Sequence, residues 1–90
     1  MLTAALFTLV SAAAMTTDNG SVYSQKANAS GTVLSGPDTI YLGKNCDALV
    51  KDGPSGSWSF NANGTFVFLG RATVFFPGQV PDAAPAACGD

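Results

Sequence analysis

The stretch from Gly56 to Phe76, GSWSFNANGTFVFLGRATVFF, holds the only tryptophan of the chain and five of its six phenylalanines. Two tight-turn signals punctuate it at strand spacing, so a run this apolar has to pair with itself. Ser57–Asn61 alternates small polar with aromatic residues, which puts Trp58 and Phe60 on one face. Ala62-Asn63-Gly64 suits a three-residue hairpin loop with Gly64 in the left-handed position. That register sets Phe60 opposite Phe66 and Trp58 opposite Phe68, gathering the rings on a single side. A two-residue Asn63-Gly64 turn would instead bring Phe66 and Phe68 beside the serines. The first register is preferred, because each ring pair adds roughly 0.5–1.5 kcal/mol beyond area burial.

The following turn, Gly70-Arg71, has glycine in the first central position, as a type II′ hairpin requires. It sets Leu69 opposite Ala72, Phe68 opposite Thr73, Val67 opposite Val74 and Phe66 opposite Phe75. Phe75 then joins the aromatic face, while Val67, Leu69, Val74 and Phe76 collect on the reverse. A three-stranded meander apolar on both faces needs cover for the second one. Ile40 and Leu42, alternating in Thr39–Leu42, can cover one face together with Leu34 and Val50, and spacing does not set whether that is the aromatic or the aliphatic one. The expected fold is all-β, a small antiparallel meander closing into a compact barrel or sandwich.

Ahead of this lies Met1–Ala14, MLTAALFTLVSAAA, an uncharged apolar run ending in an A-x-A cleavage pattern. It reads as an export signal cut before Met15, although no cation precedes the apolar core. The alternative is a buried amphipathic helix with Leu2, Leu6, Leu9 and Val10 inward. The run is shorter than the roughly 20 apolar residues that a transmembrane helix needs. Cleavage leaves 76 residues, a length at which a core alone is marginal and staples are common. Cys46 and Cys88 supply one. In an exported chain an even cysteine count favours a disulfide, and this ring of about 43 residues contributes about 4 kcal/mol.

Residues 15–37 are rich in Ser, Thr, Asn, Gly and Ala, and predict a polar, partly disordered arm with weak strands near Val22-Tyr23 and Gly31–Leu34. Residues 38–90 form the expected β domain. Cys46–Lys51 fits either a short strand or a helical turn capped by Asp47. After Phe76, Pro77-Gly78 ends the last strand, and the tail should run extended and be tied back through Cys88.

The run Leu42-Gly43-Lys44-Asn45-Cys46-Asp47-Ala48, then Gly56-Ser57-Trp58 and Asn63-Gly64-Thr65-Phe66, resembles a group of small exported bacterial proteins of uncharacterised function. They share an L-G-K-x-C-D-A run, a G-x-W step and an N-G-x-F turn. Gly78 stands where that group has a basic residue. The resemblance covers about the second half of the chain and implies an exported β domain, with no chemistry attached.

Composition removes several activities. No histidine is present, which takes away the commonest general base and the usual triads. Two cysteines do not make a four-ligand metal set, and the aspartates lack the pairing that hydrolysis needs. Asp47, beside Cys46 and Lys44, is the tightest polar cluster and reads as a turn cap next to a disulfide. The four cations are scattered, so no stripe tracks a nucleic-acid backbone. No catalytic residue, metal site or cofactor is expected.

The expected activity is therefore binding. The leading expectation is an interaction or inhibitor-like module, periplasmic or secreted. Its partner would be another envelope or extracellular protein, contacted through Val67, Leu69, Val74 and Phe76. One alternative is a carbohydrate-binding module with Trp58 as the stacking platform; another is a structural envelope protein.

Overall fold

Alternation of inward and outward side chains marks the strands, most regularly in Thr39–Gly43 and Asp47–Val50. The structure is a computed structural model that describes residues 14–89; the export-signal reading of Met1–Ala14 falls almost entirely outside them. Among the described residues there are eight strands: β1 Met15–Thr16, β2 Val22–Asn28, β3 Gly31–Ser35, β4 Thr39–Gly43, β5 Asp47–Val50, β6 Ser55–Asn61, β7 Gly64–Leu69 and β8 Ala72–Pro77. All neighbours are antiparallel, and the strands lie in chain order across one sheet. The all-β meander expected from the sequence is present.

The sheet curls until its first and last strands nearly meet. The Asp18 N–H donates to the Phe75 carbonyl at 3.0 Å. The Gln79 side chain completes the seam: its Oε1 accepts from the Thr16 N–H and its Nε2 donates to the Thr16 carbonyl, both at 2.8 Å. A primary amide carries one acceptor and two donors, so Gln79 substitutes for a strand residue at the place where β1 is only two residues long. Beyond these bonds β1 pairs with β2 only at Val22 and Tyr23, so among the described residues no strand lies beside Ser24–Asn28 on that edge of β2.

Inside lie Met15, Tyr23, Leu34, Ile40, Leu42, Ala48, Val50, Trp58, Val67, Leu69 and Phe76. Ile40, Leu42, Leu34 and Val50 thus provide the cover that the meander lacked. Residues 15–37, expected as a polar, partly disordered arm with weak strands near Val22-Tyr23 and Gly31–Leu34, supply strands at both places, a further short one at Met15–Thr16, and three core side chains, Met15, Tyr23 and Leu34. Their sparse apolar residues are inward-facing anchors at strand period, which a count of composition underrates. Cys46–Lys51 resolves in favour of the strand.

The second hairpin has the expected register, with Leu69, Phe68, Val67 and Phe66 opposite Ala72, Thr73, Val74 and Phe75, and Gly70 at φ 63°. The first does not. Asn61 pairs with Gly64, Phe60 with Thr65, Trp58 with Val67 and Ser57 with Phe68. Ala62-Asn63 forms the turn, held by the Asn61 Oδ1 accepting from the Asn63 N–H at 2.7 Å. Gly64 keeps a positive φ, 132°, and a Cβ there would also collide with the Phe76 carbonyl oxygen. Its missing side chain permits close approach of β8, and the turn residues lie before it. Trp58 and Phe68 therefore point to opposite sides of the sheet.

The tail crosses the end of the barrel where the β2–β3, β4–β5 and β6–β7 turns cluster. Thr65, fully buried, donates from its Oγ1 to the Gln79 carbonyl at 2.6 Å, and the Asp82 N–H reaches the Gln25 Oε1 at 3.0 Å. A 3-10 turn, Ala86–Cys88, replaces the extended ending expected there. It delivers Cys88 to Cys46 with a Cα–Cα distance of 5.4 Å, forming the expected disulfide. Gly89 then bridges to Phe60.

Candidate binding surfaces

The interaction patch expected from the sequence is interior. Val67 and Phe76 have no exposed surface, Leu69 is buried and Val74 is half-buried against the core. Trp58 is buried too, so it cannot serve as a glycan platform. Its backbone N–H donates to the Cys46 carbonyl at 2.9 Å and its indole Nε1 to the Gly43 carbonyl at 2.9 Å. Both corrections have one cause. The interior of a small eight-stranded barrel is narrow and is filled by aliphatic side chains with a few rings. Trp58, Phe60 and Phe76 point inward; Phe66, Phe68 and Phe75 are left outside.

Those three rings form the first candidate surface. Phe66 stacks on Phe75 with ring centroids 4.5 Å apart and lies parallel to Phe68 at 6.3 Å. Phe68 is 43 % exposed, and Phe66 and Phe75 are half-buried by one another. Cross-strand pairing places Ser59 beside Phe66, and Ser57 and Thr73 on either side of Phe68. An apolar strip framed by hydroxyls results. The sequence reading divided the faces of β7 and β8 correctly, left open which of them is covered, and set its interaction patch on the face that is inside. The signal was available: Thr65, Val67 and Leu69 are the slimmer set, suited to a narrow interior.

A second feature was not anticipated. On the outer face of β3, β4 and β5, Val33 pairs with Tyr41 and Tyr41 with Leu49. One pleat along, Gly31 pairs with Gly43, neither of which contributes a side chain. The result is a depression of about 510 Å³ that reaches Asn28, Lys44, Asn45 and Asp47 at its rim. Asp47 does not cap a turn by hydrogen bonding as expected. Its carboxylate lies over Gly43, where a Cβ would meet it at 2.0 Å.

Among the described residues no group of three His, Cys, Asp or Glu side chains could hold a metal ion. No helix among them is long and apolar enough to cross a membrane. No protein-family model, no curated protein and no solved structure matches the chain.

Proposed function

We propose that the chain is a small exported binding module that associates with another envelope or extracellular protein through Phe66, Phe68 and Phe75. One observation carries this reading: three clustered rings stay on the outside of a barrel whose interior is already filled. Exposed aromatic clusters with a polar frame are the usual anchors of protein contacts, since rings bury much area for little lost side-chain freedom. A protein surface suits this strip better than a sugar does. Phe66 and Phe75 already spend one face on each other at 4.5 Å, so their remaining edges favour aliphatic or aromatic side chains. Export is supported by the disulfide, which persists in oxidising compartments, and by the apolar run ending in Ala12-Ala13-Ala14.

The test uses the chain recovered from the periplasm, with Phe68→Ser and a Phe66→Ser/Phe68→Ser double variant, as bait in envelope extract under photo-crosslinking. A partner held by the wild type and lost in both variants supports the reading. Capture that survives both substitutions, or crosslinks confined to another face, overturns it. N-terminal sequencing of the recovered protein should begin at Met15.

A further inference from the structure

The depression on β3–β5 combines a stacking surface, a polar rim and an anchored loop, and these are separate observations. Tyr41 is 37 % exposed, between Val33 and Leu49 in the neighbouring strands. Beyond this row Gly31 and Gly43 contribute no side chains of their own, and the Asp47 carboxylate lies over Gly43. A volume of about 510 Å³ lies within the range of small-molecule sites and suits one or two pyranose rings.

The rim groups are available. Among the described residues, no hydrogen bond or ion pair engages the side chains of Lys44, Asn45 or Asp47. The Asn28 Oδ1 accepts from the Ser30 N–H at 2.8 Å and the Gly31 N–H at 3.0 Å, which fixes the amide and leaves its Nδ2 as a donor. Together the rim offers an ammonium, two amides and one carboxylate. The two charges cancel, so the rim selects neither an anion nor a cation.

The loop that carries these groups is anchored from four sides. Cys46, between Asn45 and Asp47, is disulfide-bonded to Cys88. The Trp58 indole holds the Gly43 carbonyl, the Lys44 N–H donates to the Ser30 carbonyl at 3.1 Å, and the Trp58 N–H holds the Cys46 carbonyl. Cys46 itself sits at φ 67°, a left-handed conformation that a non-glycine residue keeps only when its surroundings enforce it. Groups fixed in advance lose less freedom on binding.

We infer that this depression is a binding site for a neutral saccharide of one or two rings. One sugar face lies on the Tyr41 ring, with Val33 and Leu49 against its apolar edge or an acetyl methyl. The Asp47 carboxylate, acceptor only, takes two neighbouring hydroxyls; the Lys44 ammonium and Asn28 Nδ2 donate to hydroxyl or acetamido oxygens. This site is independent of the aromatic strip on β7 and β8.

The test follows backbone amide resonances of the oxidised protein during titration with N,N′-diacetylchitobiose and, separately, with cellobiose. Saturable shifts at Gly31, Gly43, Lys44 and Asp47 with either sugar are expected, and the sugar that binds more tightly shows whether acetamido groups are read. Tyr41→Ala and Asp47→Asn should each weaken binding about tenfold, while Phe68→Ser leaves it unchanged. Retained Trp58 emission and an intact disulfide confirm that the variants are folded. No saturable shift with either sugar at tens of millimolar overturns the inference. So do shifts confined to Phe66–Phe75, or wild-type affinity in both Tyr41→Ala and Asp47→Asn.

Discussion

The indole Nε1 of Trp58 donates to the Gly43 carbonyl at 2.9 Å, joining β6 to the end of β4 across the interior. The same carbonyl also accepts from the Cys46 N–H at 3.1 Å. Trp58 is therefore both core volume and the support of the loop that carries the polar rim. Trp58→Phe removes the donor and part of the ring, and should lower stability by about 1–3 kcal/mol. Urea denaturation reads that loss, and the variant's Gly43–Asp47 amides should exchange faster with solvent. In the wild type, Trp58 emission should be blue-shifted and protected from quenchers.

Position relative to the barrel wall sets the cost of substitutions in β7. Val67 is fully buried and Phe68 is 43 % exposed, one residue apart on opposite faces. Val67→Ser leaves a void and a hydroxyl in the core and should cost about 3 kcal/mol or more. Phe68→Ser should change stability by less than about 1 kcal/mol, despite deleting the larger side chain. Thermal denaturation of the two variants checks the contrast; a larger loss for Phe68→Ser would reverse the assignment of inside and outside.

This contrast also marks what could be read from the sequence. Gly70 fixed its hairpin because its place before Arg71 admits one register, and Val67 was correctly grouped with Leu69, Val74 and Phe76. Asn63-Gly64 misled because two physical demands favour glycine at that position. A turn needs a left-handed residue, and close backbone approach needs a missing Cβ. Gly64 has a positive φ of 132° and also meets the second demand, against the Phe76 carbonyl, but it stands after the turn and not inside it. The one-residue difference turned Phe66 and Phe68 outward. The depression at Tyr41 was hidden for another reason: it depends on Gly31 and Gly43 becoming neighbours across β3 and β4, a pairing that local spacing does not reveal.

The disulfide ties the tail across the barrel end, and its main effect is on the unfolded chain. Cys46 and Cys88 are 42 residues apart, so a Cys46→Ala/Cys88→Ala double variant should lose about 4 kcal/mol. Urea midpoints with and without reductant should differ for the wild type and coincide for the variant. Freed of its link to Cys46, the 3-10 turn at Ala86–Cys88 should lose amide protection before any strand does.

Tyr23 gives the fold a dependence on alkaline pH. Its hydroxyl donates to the Asp38 Oδ1 at 2.7 Å, and its ring meets Phe76 edge-on with centroids 5.7 Å apart. Burial, then the hydrogen bond to Asp38 and the repulsion of its charge, push the phenol from 10.0 up to about 12. The folded state thus keeps a proton that the unfolded chain releases near pH 10. The stabilisation is complete below pH 10 and is lost as pH rises through about 12. Tyr23→Phe should flatten this part of the stability–pH curve, with urea midpoints measured between pH 9 and pH 12 as the readout.

Beside the backbone bond from the Asp18 N–H to the Phe75 carbonyl, the seam between β1 and β8 rests on the Gln79 side chain. Its Oε1 and Nε2 bond the N–H and the carbonyl of Thr16, both at 2.8 Å, and Nε2 also reaches the Pro77 carbonyl at 3.1 Å. Gln79→Glu keeps the acceptor and replaces the donor with a second oxygen facing two carbonyls. The carboxylate retains the bond from the Thr16 N–H and repels both acceptors, so β1 should detach. The expected cost is about 1–3 kcal/mol at neutral pH, and part of it should return when acid protonates the new carboxyl. Detachment withdraws Met15 from the core and bares the β2 and β8 edges, which are then open to pairing with a second chain. Amide exchange at Thr16 and Asp18, with light scattering to follow dimer formation, reads both effects. Protection at Thr16 equal to wild type at neutral pH would mean that core packing of Met15, and not the Gln79 amide, holds the barrel shut.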